Sequence, residues 1–228
     1  MISYVKVVIL IKMTEKKEKY YMIMKKIFTI IVLATIAISS QAQGLHRFFI
    51  NTPDSIQPYM KKLDREAMIL SADSSKDTCS YMSILYGGTV SITHISKELI
   101  VFHPSKTLTQ EFAILPTDSD SVFCVISTYK APEGESNVKI YDKNWSLLST
   151  LDLTDKAKLA RPDTISEARF EEIAQTQEIK MVLASIDKKN TKQLNIEYSM
   201  PLMSSDEKKE FLSLVLKTNL KWNGKTFN

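Results

Sequence analysis

Six short β-rich segments follow one another between residues 89 and 149, and they constrain the fold more than any other feature of the sequence. They are rich in Val, Ile, Phe, Tyr and Thr, and turn residues separate them. Short spacing between such segments favours hairpins, and hairpins require antiparallel pairing. We therefore predict an antiparallel meander with strands at residues 89–94, 98–103, 108–115, 122–129, 137–141 and 145–149.

The run from Val122 to Ile126 is apolar in both alternating positions of a strand. A strand of this kind is typical of the interior of a sheet, with cover on both faces. We predict that this strand is central. In the turns between the strands, Asp and Asn side chains bond their own backbone, while Pro132 and Gly134 are expected to interrupt pairing.

Helical patterns precede and follow the meander. Thr52-Pro53-Asp54 is typical of a helix start, Pro58 interrupts it, and residues 59–70 are predicted to form an N-terminal helix. Its predicted buried stripe consists of Met60, Leu63, Ala67 and Leu70.

Two capping boxes, at residues 164–167 and 204–207, predict a middle helix over 165–176 and a C-terminal helix that ends near Thr218. Strands at 180–186 and 193–199 are expected between these helices, and Leu220, Trp222 and Phe227 are expected to dock on the core. The predicted fold is α+β, an antiparallel meander sheet packed against N-terminal, middle and C-terminal helices. Two lobes divided near 157–162 are the alternative to a single domain over 43–228.

Residues 24–42 have the pattern of a secretory signal peptide. Met24-Lys25-Lys26 is followed by an uncharged, mostly apolar run over 27–38 and then by Ser39-Ser40-Gln41-Ala42. The run is shorter than the roughly 20 residues that a transmembrane helix needs. We predict cleavage near Ala42, with an uncleaved anchor as the alternative, and we interpret residues 1–23 as an upstream extension from a start codon assigned too early.

Removal of this leader changes the charge of the chain. Residues 1–42 carry seven lysines and two glutamates, so the net charge falls from +4 to −1. A chain of this charge without a long basic cluster is not typical of nucleic-acid binding. We expect a soluble periplasmic or secreted protein without a transmembrane segment after cleavage. We do not expect a lipoprotein, because no Cys stands near the cleavage site.

The cysteines of the chain are Cys79 and Cys124. In an oxidising compartment they can pair. A buried thiol is the preferred interpretation for Cys124, because it lies within the apolar run.

Several short motifs occur in order over most of the expected mature chain: Phe48-Phe49-Ile50-Asn51-Thr52-Pro53-Asp54-Ser55, Leu85-Tyr86-Gly87-Gly88, Ile114-Leu115-Pro116, Val122-Phe123-Cys124-Val125-Ile126, Ala131-Pro132, Tyr141-Asp142-Lys143-Asn144-Trp145, Pro162-Asp163-Thr164, Ser166-Glu167-Ala168-Arg169-Phe170 and Lys221-Trp222-Asn223-Gly224. In this order the chain resembles a family of small exported proteins of unknown function found mainly in the Bacteroidales. The resemblance implies an exported or envelope α+β protein. It supplies no activity or site residue.

The familiar catalytic signatures are absent from the sequence. Gly87-Gly88 precedes a strand, whereas a phosphate loop precedes a helix, and there is no Gly-x-Ser-x-Gly, His-Glu-x-x-His or Cys-x-x-Cys motif. No cofactor is therefore expected. His94 and His103, on neighbouring predicted strands, are a candidate metal pair without a third ligand, and a solvated strand pair is the alternative.

The candidate contact surface surrounds the loop at residues 131–136. Aromatic side chains next to a polar loop are typical of surfaces that bind a protein or a glycan, although buried hairpin aromatics are the alternative. The candidate binding residues are Tyr129, Pro132, Glu133, Glu135, Tyr141 and Trp145.

The favoured function is a non-catalytic binding or envelope-interaction module, with an unknown envelope protein or a glycan as partner. The alternative is a hydrolase that acts on envelope or dietary polymers through carboxylates dispersed in the sequence. The candidate carboxylates are Glu111, Asp118, Asp120, Glu133, Glu135 and Asp142.

Overall fold

The structure is a computed structural model that describes residues 24–25, 44–74, 78–82, 88–130, 134–175, 181–199 and 204–228. The chain divides into two compact units, Met1–Gln43 and Gly44–Asn228. The folded elements discussed below lie in the second unit. Within the described residues, no helix is both long and apolar enough to cross a membrane.

A seven-stranded antiparallel meander forms the large sheet, and each strand pairs with its neighbour in the chain. This confirms the large antiparallel sheet predicted from the sequence. The strands are β1 (Cys79–Met82), β2 (Thr89–Ile95), β3 (Leu99–His103), β4 (Leu108–Pro116), β5 (Ser121–Lys130), β6 (Gly134–Tyr141) and β7 (Leu147–Leu151).

β5 lies inside the sheet and is covered on both faces, as its apolar sequence predicts. Phe123 and Val125 point into one hydrophobic cluster, and Cys124 and Ile126 point into another. We call the face that carries Phe123 the α face and the face that carries Cys124 the β face.

Two helices cover the α face. Residues 44–50 form α1, which is not predicted from the sequence, and Lys62–Ser74 form α2. Leu45, Phe48 and Phe49 of α1 are buried against the sheet because they recur at helical spacing.

The predicted buried stripe of the N-terminal helix is wrong in part. Leu63 and Leu70 are 76% and 67% exposed, whereas Met68, Ile69 and Ala72 are buried. The buried residues fall three, four and seven positions after Arg65, which is itself buried. The face of the helix that packs against the sheet therefore includes a charged residue. Hydropathy alone does not predict this face.

A second, three-stranded sheet covers much of the β face. Its strands are β9 (Met181–Asp187), β10 (Asn190–Ser199) and β12 (Thr218–Lys221). Their order in the sheet is β12-β10-β9, and all pairs are antiparallel. Alternate residues of β9, namely Val182, Ala184 and Ile186, join the core of the β face.

The middle and C-terminal helices contribute less to this core than predicted. α3 spans Glu167–Gln175 and α4 spans Ser205–Leu214, which ends before the predicted Thr218. Ile173, Phe211 and Leu214 bring them into the core. A small pair of strands, β8 (Lys158–Leu159) and β11 (Val215–Leu216), lies beside them. The prediction that helices cover the sheet omitted the second sheet.

The C-terminal segment lies on the core. The indole N–H of Trp222 donates to the carbonyl oxygen of Pro116 at 2.6 Å, and the ring contacts Phe227. The two cysteines are free thiols and are assigned to different faces of the large sheet. Complete burial raises the pKa of Cys124, which therefore stays protonated.

Candidate functional site

A pocket of about 210 Å³ opens on the α face, over the central strands of the large sheet. We call it the tyrosine pocket. Strands β4, β5 and β6 supply most of its lining, and the segment between α1 and α2 supplies one wall. The lining residues are Ser55, Ile56, Gln110, Val125, Ser127, Tyr129, Asn137, Lys139 and Tyr141.

The register of the sheet explains why these polar residues meet. Gln110 pairs with Ser127, and Ser127 pairs with Asn137, so three side chains form one row across three strands. Residues two apart in a strand share a face, which places Tyr129, Lys139 and the row on the same side of the sheet. The floor of the pocket is therefore a row of amides and a hydroxyl.

Buried hydrogen bonds hold this floor in place. The Gln57 amide nitrogen donates to Oε1 of Gln110 at 2.7 Å, and both residues are almost fully buried. The Gln110 amide nitrogen points to Oγ of Ser127 at 3.4 Å. Gln110 therefore turns its donor side toward Ser127 in the neighbouring strand, which also lines the pocket.

Arg65 fixes the segment that forms the pocket wall. Its guanidinium donates to the carbonyl oxygens of Ile50, Met60 and Thr52 at 3.0, 2.5 and 2.7 Å. The carbonyl of Ile50 lies at the end of α1, where backbone carbonyls lack hydrogen-bond partners within the helix. Desolvation by burial lowers the pKa of Arg65. The residue connects α2 to the loop that carries Ser55 and Ile56.

Two predicted contact residues line the tyrosine pocket. Tyr129 is 56% exposed and presents its ring at the edge. Tyr141 is buried, and desolvation raises the pKa of its hydroxyl, which therefore remains a donor at neutral pH.

Trp145, another predicted contact residue, is half-buried and is not part of the lining. Its ring stacks on that of Phe48 of α1, with ring centroids 3.8 Å apart. Its indole N–H donates to the Phe48 carbonyl oxygen at 3.3 Å. Trp145 has a positive φ of 66° in the turn that Asp142 closes. Its ring lies 5.1 Å from that of Tyr141, so it supports the pocket from outside the lining.

The remaining predicted contact residues differ in position. Glu135 is exposed in β6 and pairs with Tyr129. Pro132 and Glu133 lie outside the described residues. Gly134, expected to interrupt pairing, instead belongs to the strand and pairs with Lys130. A Cβ atom there would lie 2.6 Å from Cδ2 of Leu183, so the close approach of β9 explains the glycine.

A second concavity, the inter-sheet groove, lies between the β face and the second sheet. It has a volume of about 190 Å³ and includes Glu111, Lys130 and Glu197 in its lining. Oε2 of Glu111 accepts the backbone N–H of Ile186 at 2.7 Å. Desolvation raises the pKa of Glu111 to about 7, although the bond from Ile186 opposes this shift.

Two backbone N–H groups on the outer edge of β9 donate to side chains of the large sheet. One is the bond from the Ile186 N–H to Glu111. The other is donated by the Ala184 N–H to Oγ of Ser136 at 2.9 Å, and Ser136 also bonds Thr128 at 2.7 Å. An edge strand has unpaired backbone groups. Glu111 therefore has a structural task in joining the two sheets.

The two histidines of the candidate metal pair do not occupy opposed positions. His94 pairs with Val101, and His103 pairs with Ser91, because the tight turn between β2 and β3 sets a register in which the two histidines are several residues apart. Both ring nitrogens of His103 bond threonine hydroxyls, Thr93 at 2.9 Å and Thr109 at 3.1 Å. Desolvation lowers the pKa of His103. Among the described residues, no three His, Cys, Asp or Glu side chains form a metal-binding group.

Three of the other candidate carboxylates, Asp118, Asp120 and Asp142, lie in turns. Asp142 accepts backbone N–H groups of Ser146 and Asn144, which lower its pKa. Asp120 is exposed, 3.9 Å from the Lys143 ammonium, and Asp118 is exposed in the same turn. None of these three lines the inter-sheet groove beside Glu111.

Most of the tyrosine pocket was missed by the sequence analysis. The signal that could have found it is the period of two: residues 125, 127 and 129 share a face, as do 137, 139 and 141. Gln110 could join them only once the register between β4 and β5 was known.

Comparisons with known proteins agree with this fold. A structure of a domain of an uncharacterized protein from Porphyromonas gingivalis W83 is similar to this chain, with a TM-score of 0.62 and 23% sequence identity. The match covers 81% of this chain and 98% of that chain. At this identity the likeness concerns the fold. No match was found among the curated proteins.

A family model described as "Protein of unknown function (DUF3256)" matches residues 37–227. This match confirms the expectation of a family without an assigned function. Because it covers most of the sequence, the chain belongs to the DUF3256 family.

Proposed function

We propose that this protein is an exported, non-catalytic binding module that holds a saccharide unit in the tyrosine pocket. The observation that carries the proposal is the composition of the pocket lining, which contains two tyrosines, two amides, two serines and a lysine but no carboxylate. A row of donors next to an exposed ring suits a ligand with a hydroxylated edge and an apolar face.

The size of the pocket limits the ligand. Its volume of about 210 Å³ is below the roughly 300–1,000 Å³ of sites for drug-sized molecules. One sugar ring, as a terminal unit or a branch of a glycan, matches this scale. Tyr129 has few rotatable bonds, and it supplies contact area at a small entropic cost.

Export is the second part of the proposal and is supported by the pattern of residues 24–42. Expression of the full chain in a host with a secretory pathway should give an exported protein that begins at Gln43. Intact mass and N-terminal sequencing check this. An exported chain that retains Tyr20 contradicts it.

The hydrolase alternative is favoured by one observation, the placement of Glu111 and Glu197 in the lining of the inter-sheet groove. The pKa of Glu111 suits a general acid. Against this role, Glu111 already accepts the Ile186 N–H. Polysaccharide hydrolysis that the Glu111→Gln variant abolishes would support the alternative over the binding module.

The binding proposal predicts that Tyr129→Ala weakens saccharide binding at least tenfold, because the variant loses the exposed ring at the pocket edge. Calorimetric titration of the purified protein with galactose, N-acetylglucosamine and galacturonic acid oligosaccharides measures this change. Leu148→Ala is the matched control, since Leu148 is equally exposed at 55% but lies on β7 outside the pocket.

The control variant should bind like the wild type. If no oligosaccharide binds the wild-type protein, or if Tyr129→Ala binds with unchanged affinity, the tyrosine pocket is not the saccharide site.

A further inference from the structure

Lys139 is the charged residue in the lining of the tyrosine pocket. It is half-buried, whereas the ion-paired Lys143 and Lys217 are 72% and 84% exposed. Lys139 forms no ion pair with the residues that the structure describes. Its partners across the sheet, Val125 and Thr150, are neutral.

The carboxylates closest to Lys139 in the strand register accept other hydrogen bonds or lie farther along the strand. Asp152, two residues beyond the β7 partner of Lys139, accepts the backbone N–H of Thr154 at 2.9 Å. Glu135 is on the same face four residues along β6, a separation of about 13 Å in a strand. Asp54, next to the pocket wall, lies 3.9 Å from the Arg65 guanidinium. Among the described residues, therefore, no carboxylate lies within ion-pair distance of the Lys139 ammonium.

The neutral groups around Lys139 also favour a negatively charged ligand, because they are hydrogen-bond donors. Tyr141 keeps its proton because burial raises its pKa, and the amides of Gln110 and Asn137 offer N–H donors. A charged acceptor takes stronger hydrogen bonds from such donors than a neutral acceptor does. The pocket thus offers one full positive charge surrounded by donors, without an arginine fork.

We propose that the tyrosine pocket selects a uronic acid, a sugar unit whose carboxylate binds Lys139 while its ring lies against Tyr129. This inference rests on the proposed saccharide-binding function and specifies its ligand. One carboxylate balances one ammonium. A phosphate dianion would leave a negative charge without a partner, and dedicated phosphate sites usually contain arginine or several backbone N–H groups.

The test compares glucuronate with glucose, which differ only at C6. Titrations of the purified protein should show that glucuronate binds about tenfold more tightly than glucose, the effect expected of one charge-assisted hydrogen bond. Added salt should reduce this preference, because it screens a partly exposed pair. The indole fluorescence of Trp145, near Tyr141, can follow binding in a Trp222→Phe background.

Lys139→Gln should abolish the preference for glucuronate and leave the affinity for glucose within about twofold. Lys139→Arg should retain at least part of the preference, since it retains the charge. Lys143→Gln, which removes an exposed ammonium outside the pocket, is the control and should behave like the wild type.

Equal affinity of the wild-type protein for the two sugars overturns the uronic acid inference but leaves saccharide binding intact. An unchanged preference in Lys139→Gln also overturns it. If acetate or inorganic phosphate binds as tightly as glucuronate, the pocket recognises an anion without the sugar, and the inference is again wrong. If neither sugar binds, the proposed function itself fails.

Discussion

Glu111 and His103 illustrate, at the scale of single residues, how titratable groups on the β face bond groups of the protein itself, Glu111 across to the second sheet and His103 within the large sheet. Both lie near Lys130 and Lys188, which influence their pKa values. His103 bonds two threonines, and Glu111 holds the Ile186 N–H. The same unusual pKa values would arise at a catalytic site, so the hydrogen bonds to the protein itself decide in favour of a structural role.

Glu111 should make the stability of the domain depend on pH. Its folded-state pKa of about 7 exceeds the ordinary value of 4.5, so its favourable contribution is complete below about pH 4.5 and is lost as the pH rises through 7. Glu111→Gln keeps an acceptor for Ile186 and removes the titration.

The variant should match the wild type near pH 4.5 and exceed its free energy of unfolding by up to about 3 kcal/mol at pH 8. Urea unfolding at both pH values measures this difference. The exposed Glu135→Gln serves as control. A difference between Glu111→Gln and the wild type that does not grow with pH contradicts the assignment.

At the scale of elements, the strands best predicted from the sequence are those with apolar residues on both faces or at strictly alternating positions. β5 was recognised as interior because no position in its centre is polar. The strands at 180–186 and 193–199 were recognised from alternation, but alternation shows only that one face is buried and not what covers it. The second sheet therefore escaped prediction.

The two N-terminal helices were predicted less well than the strands, for reasons that lie outside each helix. α1 was missed because it is short, and short helices depend on tertiary packing. The face of α2 was misassigned because Arg65, a residue normally exposed, is 2% exposed here. The carbonyl oxygens that satisfy Arg65 come from outside α2, so no pattern within the helix reveals its burial.

Arg65→Met should lower the free energy of unfolding by about 3–5 kcal/mol, because it leaves three backbone carbonyls without the guanidinium. Arg65→Lys should recover only part of this loss, since an ammonium lacks the fork geometry. Chemical denaturation measures both variants.

Arg47→Met, an exposed arginine on α1, is the control and should change stability by less than about 0.5 kcal/mol. A loss below about 1 kcal/mol for Arg65→Met would show that Arg65 does not hold the loop between α1 and α2.

At the scale of the folded unit Gly44–Asn228, one meander separates two different environments. The α face carries the polar pocket next to the segment between α1 and α2. The β face meets the edge of a second sheet, where Ser136 and Glu111 accept two backbone N–H groups of β9. The sequence proposes Tyr129 and Tyr141 as candidate contact residues, and both line the pocket. Their polar neighbours could not be named from the sequence, because strand register is set by long-range pairing rather than by local sequence.

Residue-resolved NMR can locate the saccharide-binding site on the folded unit. Titration of the isotope-labelled protein with glucuronate should shift the amide signals of Gln110, Ser127, Asn137 and Lys139, and leave those of Glu111 and Ile186 unchanged. Shifts confined to the inter-sheet groove, or no shifts at all with glucuronate and the tested oligosaccharides, would contradict a binding module built on the tyrosine pocket.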